Sequence, residues 1–386
     1  MKFISSSPEI SINDVYDRNN NNFHLCRFTL AILVIYCHSC VLLRSESKGN
    51  FLAQLTESAT GIGAFAVHCF FIVSGFLITQ SAYTGSSVRK FMMNRALRIV
   101  PAFLVSLVIV AFVIGPVVTS MTLADYFKPE TADPFKFVYK NLAFGIGGNV
   151  WSFKDVFSGN PRSGSVNGSM WTLAHEFAMY LVLAILMALG IIKNWRISIG
   201  LVLIFAIALF FYQRFELKPV TKPIVYWWVL NPWNYSKFIT EGFFFACGSA
   251  FYALKNAIPY QKKILYTCLA GIVIFYIFDI LKIGLFLFLP YIVIFLSVSK
   301  VFSTFQRHGD YSYGLYIFSF PIQQTILFYN DKLTLPQFII LSVLFSLIAA
   351  FLSWNLIEKP ALNIKRKLNL PISNLRKNAN NQEGST

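Results

Sequence analysis

Apolar residues run along this chain in long blocks separated by short polar stretches, a coarser alternation than any amphipathic helix or strand produces. Ten blocks stand out, near 24–43, 61–83, 99–121, 171–192, 198–213, 238–254, 264–280, 283–299, 312–330 and 335–356. Most approach or exceed the ~20 residues that a helix needs to cross ~30 Å of hydrocarbon. The pattern predicts an all-α polytopic membrane protein of about ten transmembrane helices. The fifth block is short, and the pair at 264–299 is joined by a tight link at Asp279–Gly284.

Composition agrees with the pattern. The chain is 56% hydrophobic and 17% aromatic, and its 13% charged residues are about half the ~25% of soluble domains. Forty Phe and eighteen Tyr are too many to hide in one soluble core of this length. The net charge of +16 would suit nucleic acid, but its placement argues for a membrane instead. Basic runs such as "RKFMMNRALR" (89–98), "KNWR" (193–196) and "KRK" (365–367) fall on one side of the predicted bundle, as the positive-inside rule requires of cytoplasmic segments. They also suit contact with anionic lipids, so no nucleic-acid partner is expected. Both termini are then cytoplasmic: a polar segment at 1–23 with no cleavable leader, a membrane domain at 24–362, and a basic, disordered tail at 363–386. The one long extramembrane stretch, 122–170, is rich in Gly, Asn and Ser and faces outside. A loop of that length is uncommon unless it is functional or disordered.

Six cysteines, at 26, 37, 40, 69, 247 and 268, all lie in predicted spans and read as small apolar filler rather than a disulfide framework. Cys37-x-x-Cys40 flanks His38, yet no second Cys/His pair has the spacing to complete a metal site, so no metal is expected.

The polar residues inside the spans carry the chemistry. "CRFTLAILVIYCHSC" (26–40) holds Arg27 near one end and His38 near the other. Eleven residues at ~100° each bring His38 back to within ~20° of Arg27, ~16 Å further along the axis. Ionisable groups on one stripe must face the bundle interior, because lipid disfavours them. The second span contributes His68 and the pair Ser74-Gly75, which could be helix packing alone. "RALRIVP" sets Arg95 and Arg98 on one face, where positive-inside anchoring is the simpler explanation. The fourth span opens "MWTLAHEFAMY", with Glu176 about one turn from its start and Tyr180 one turn deeper. On this reckoning Glu176 shares the outer depth of His38, and the arginines gather at the inner end.

The Arg–ten residues–His spacing, "FFIVSGFLIT", "RALRIVP", "MWTLAHEFAMY", "DYSYGLYIFSFP" and "SWNLIEKP" together resemble the acyltransferase-3 family, integral membrane enzymes that O-acetylate bacterial surface polysaccharides such as lipopolysaccharide O-antigen. The resemblance runs from about residue 23 to 362 with the motifs in family order. It implies a bacterial inner-membrane protein, acetyl-CoA as the cytoplasmic donor, and a lipid-linked or polymeric sugar outside the membrane as acceptor. The family's essential Arg and His fall on Arg27 and His38, its RxxR on Arg95 and Arg98, and its motif Glu on Glu176. Many members carry His before the Phe-Pro of "SYGLYIFSFP", where this chain has Ser319, so that position loses any catalytic role.

On this basis His38 is expected to act as general base with Glu176 as its orienting partner. Arg27, Arg95 and Arg98 grip the CoA phosphates, and Trp171, Tyr180, Ser74 and His68 line the substrate path. The pantetheine arm would thread the stripe from arginines to His38. No activated Ser stands nearby, which favours direct transfer and leaves an acyl-His intermediate open. The aromatic loop "KPVTKPIVYWWVLNPWNYSK" (218–237) reads equally as an acceptor surface or an interfacial belt. A proton-coupled transporter is the competing class, since buried His, Glu and Arg also make proton relays. Neither an inverted repeat nor paired broken helices support it. Transfer of a short acyl group other than acetyl is a further alternative.

The topology has a direct test in a variant lacking the native cysteines. Ser163→Cys should react with an impermeant thiol reagent in intact cells and Ser87→Cys should not. The reverse result exchanges the two sides of the membrane.

Overall fold

The structure, a computed structural model, describes residues 10–43, 61–85, 87–144, 149–215 and 232–368. Ten long helices follow in chain order: α1 (Phe23–Leu42), α2 (Ile62–Thr84), α3 (Val88–Ile109), α4 (Trp171–Ala188), α5 (Trp195–Arg214), α6 (Pro232–Ala253), α7 (Lys262–Ile277), α8 (Leu281–Val298), α9 (Ser312–Tyr329) and α10 (Leu335–Ser353). Each overlaps one predicted block, although α3 begins eleven residues before its block at 99–121. Seven helices among the described residues are long and apolar enough to cross a membrane. α6, α7 and α9 are not among them, so the count of ten spans does not follow from length and apolarity. No strand element occurs among the described residues, only isolated bridges such as Ser11 to Pro259.

Two helices continue past a π turn. α3 passes through Val110–Ile114 into Gly115–Val118, and α10 passes through Trp354–Glu358 into a helix at Lys359–Leu368. That last helix runs through residue 368, so residues 363–368 are helical rather than the start of a disordered tail; residues 369–386, the rest of the expected tail, lie outside the described residues. The N-terminal segment is pinned as well. Ile12 N donates to Ile258 O at 3.0 Å, Tyr260 N to Ile10 O at 2.9 Å, and the Tyr16 hydroxyl to Gln80 at 2.9 Å.

α1 and α2 occupy the centre: α1 packs on α2, α9 and α10, and α2 packs on α1, α4, α6 and α8. α5 lies at the periphery, with most of its apolar side chains uncovered, as suits a lipid-facing helix. The α2–α6 crossing is close because glycines meet backbone. A Cβ on Gly75 would strike the Phe245 carbonyl, and one on Gly248 would strike the Ile72 carbonyl. Thr79 Oγ1 to Ser249 Oγ, 2.7 Å, ties the same crossing. Small residues permit such approach where water cannot drive helices together.

The long segment after α3 is folded against α9. Asn160 Nδ2 donates to the Gln324 carbonyl and side-chain oxygens, both at 2.9 Å, and Gln324 Nε2 donates to the carbonyls of Arg162 (2.7 Å) and Ser165 (2.8 Å). Asn167 Nδ2 donates to Ile317 O in the middle of α9 at 3.0 Å, and its Oδ1 caps the short turn leading into α4. The first residues of α4 are therefore drawn into the bundle.

The glycine crossing makes a stability prediction. Gly75→Ala and Gly248→Ala should each cost at least the ~1–3 kcal/mol typical of overpacking, because a helix carbonyl cannot rotate away. Gly200→Ala, with nothing within 4 Å, should be neutral or slightly stabilising. Melting temperatures of the three variants in detergent test this, and equal values would mean the crossing is looser than described.

Candidate active site

Three cavities lie in series between the helices. The first, about 500 Å³, is lined by Arg18, His24, Lys90 and Arg95 with Tyr16, Asn21, Gln80 and Asn94, and no carboxylate among the described residues borders it. The second is a waist of about 120 Å³ containing Arg27, Arg95, Arg98, Ser74, Glu176 and Tyr180. The third, about 380 Å³, contains His38, His68, Glu241, Trp171, Lys237 and Lys282. Leu77 and Arg95 border both the first and second. Val67 and Tyr316 border both the second and third. Arg27 and His38, on one stripe of α1, thus stand in consecutive chambers.

Charge in the waist is balanced by acids the sequence reading assigned no role. Asp310 Oδ2 accepts from Arg27 Nη1 at 2.6 Å and from Arg98 Nη2 at 2.5 Å. Arg98 Nη1 also reaches Glu358 at 3.2 Å, and Ser353 donates to the other oxygen of Glu358 at 2.9 Å. The π turn at the end of α10 carries Glu358 to this position, a common use of that irregularity. Ser312 donates to Asp310 at the start of α9. Burial raises the Asp310 carboxyl, but Arg27 and then Arg98 outweigh it and hold it below the usual carboxylate range. Arg95 differs from its two neighbours. Among the described residues its only hydrogen bond is a long one, 3.5 Å, to Ser81, and its buried Nε has no partner.

Glu176 is not beside His38. Its carboxylate accepts from Ser74 at 2.8 Å and from Tyr180 at 2.5 Å, in the arginine-lined waist. The expected orienting pair is corrected accordingly. Counting turns from Trp171 placed Glu176 near the surface, whereas the tether at Asn167 sinks the start of α4. The carboxylate–imidazole pair in the structure is Glu241 with His68: Nδ1 lies 3.0 and 3.1 Å from the two carboxylate oxygens. Glu241 went unremarked in the sequence, although an acid inside an apolar stretch is a functional candidate by default.

His38 packs edge-on against Phe320, and its Nδ1 is buried with no partner among the described residues. Trp171 carries Lys237 over its ring at 4.3 Å. Ser319 is buried, with its hydroxyl 3.4 Å from the Tyr316 carbonyl of its own helix. No cluster of three metal-ligating side chains occurs among the described residues. Trp227 and Trp228 lie outside the described residues, as does most of the aromatic loop.

The arrangement offers a basic chamber, a polar waist and a chamber with two imidazoles, which suits moving a long anionic donor toward a proton acceptor. Sequence comparison points the same way. An O-acetyl transferase of Shigella phage Sf6 is 28% identical, over 88% of this chain and 95% of its own length. Nodulation protein 10 of Rhizobium leguminosarum bv. viciae is 25% identical, over 91% and 95% respectively. No solved structure matches the chain. The model of the acyltransferase domain family matches residues 20–355, and the chain belongs to that family of acyltransferases.

Proposed function

We propose that this protein takes an acetyl group from acetyl-CoA on the cytoplasmic side of the bacterial inner membrane. It passes the group to a hydroxyl of a surface-polysaccharide sugar, such as an O-antigen unit, on the far side. The observation that carries this reading is the series of three cavities, basic at one end and imidazole-bearing at the other. The name of the phage relative, an O-acetyl transferase, supports the choice of acetyl and of an oxygen acceptor.

The parts divide by size and charge. The first chamber is the largest of the three at about 500 Å³ and has no carboxylate among its described lining residues, so it suits the nucleotide and phosphates of CoA. Arg95, shared with the waist, is the guanidinium least committed to protein partners and the strongest candidate for a phosphate. Arg27 and Arg98 contribute around Asp310, which they already share. The waist, the smallest of the three at about 120 Å³, suits an extended pantetheine arm, with Ser74, Glu176 and Tyr180 as hydrogen-bond partners for its amides.

The thioester then reaches the third chamber, ~16 Å along α1 from Arg27. There His38 takes the proton of the acceptor hydroxyl as its oxygen attacks the thioester carbonyl, and the carbon–sulfur bond breaks to release CoA. Trp171, with Lys237 on its face, gives the sugar a flat apolar wall and a cation. The long segment tied to α9 and the loop at 218–237 are the places where acceptor choice would reside.

Two variants separate the ends of this path. Arg27→Lys should retain charge beside Asp310 yet weaken acetyl-CoA binding by about tenfold, ~1.4 kcal/mol, because Lys lacks the planar fork. His38→Ala should bind acetyl-CoA nearly normally and lower turnover ~10²–10⁴-fold. Donor affinity, turnover and melting temperature in nanodiscs test both. A folded His38→Ala with normal turnover removes His38 as base. In the host, loss of this protein should erase an O-acetyl signal from the NMR spectrum of the surface polysaccharide.

A further inference from the structure

The third chamber holds a second imidazole, and its surroundings differ from those of His38. His68 on α2 and Glu241 on α6 are both nearly closed to solvent, at 7% and 3% exposure. A carboxylate only accepts, so His68 Nδ1 donates to it, and Nε2 is the nitrogen left for the chamber. Stacking on Phe244 at 4.4 Å fixes the ring plane. A pair that merely tied two helices together would need no open face, yet both residues border a cavity of about 380 Å³. Glu241 can balance a positive charge on His68, whereas no carboxylate does so for His38 among the described contacts. Two titratable groups in one site with contrasting environments are the arrangement that divides acid from base.

Thioester transfer has work for both. The geometry points to His68, oriented by Glu241, as the general acid that protonates the departing sulfur, a role that rests on the acyltransfer reading above. As the acceptor oxygen bonds to the acetyl carbon, its proton passes to His38. The carbon–sulfur bond breaks, and the sulfur takes the proton of the His68 imidazolium, so CoA leaves as a neutral thiol. His38 now holds one proton more and His68 one fewer. A proton moving from one to the other, directly or through water in the shared chamber, restores the start. Glu241 stays ionised throughout and is a positioning residue. The overall change is thioester plus alcohol to ester plus thiol, with no proton gained or lost.

The test varies the leaving group. Inside-out vesicles from the host, carrying this protein and their own saccharides, receive labelled acetyl from either acetyl-CoA or S-(4-nitrophenyl) thioacetate. The nitrothiophenolate departs readily without a proton. His68→Gln should lower transfer from acetyl-CoA ~10²–10⁴-fold, and the loss should shrink to under about tenfold with the nitrophenyl donor. Glu241→Gln should show a smaller loss with the same donor dependence, and it stands in if His68→Gln does not reach the membrane. His38→Ala should lose equally with both donors. Equal losses for His68→Gln, or none with acetyl-CoA in folded protein, overturn the acid role and leave the acyltransfer reading intact. Unaltered protein that transfers from neither donor overturns both.

Discussion

Charges buried among apolar helices must be compensated, and the cluster Arg27–Asp310–Arg98–Glu358 is where this chain meets that requirement. It joins α1, α3, the start of α9 and the π turn beyond α10, four parts of the chain well separated in sequence. A single unpaired member would cost several kcal/mol, so each residue is held by the presence of the others. Because Asp310 accepts from both arginines, the side chains are fixed as a group. Two of its members, Arg27 and Arg98, line the waist between the chambers. Arg95 is excluded from the cluster and keeps donors to offer.

Much of this was legible in the sequence, and the division follows from range. Helices in a membrane protein are written as local apolar runs, so each of the ten stretches contains a long helix, with ends that shift by a few residues or, for α3, by about three turns. The common stripe of Arg27 and His38 is also local, since a period of ~3.6 residues connects them. Pairings between distant segments leave no such periodic trace. Arg27 and Asp310 are 283 residues apart, and His68 and Glu241 are 173 apart. Both acids stood in stretches that the sequence marks, Asp310 in a quoted motif and Glu241 in an apolar block, but nothing local says which base each one meets.

Glu176 shows the opposite error, a local rule applied where a distant contact prevails. Depth along α4 was counted from its first residue as though that residue lay at the surface. The bond from Asn167 to the Ile317 carbonyl, in the middle of α9, lowers that starting point. A side chain assigned to the imidazole chamber thereby falls in the waist, with Ser74 and Tyr180. The carboxylate that does meet an imidazole comes from α6, across the crossing where Gly75 and Gly248 meet backbone.

The segment ahead of α1 has a practical meaning. Tyr16, Arg18 and Asn21 form one side of the basic chamber, and backbone bonds near Ile12 and Tyr260 hold them against the link between α6 and α7. In a sequence diagram these residues look like a dispensable leader to the membrane domain. Cutting the chain back to Phe23 would take away a wall, leaving Lys90 and Arg95 facing open solvent. Shortening this end for expression therefore alters the chamber itself.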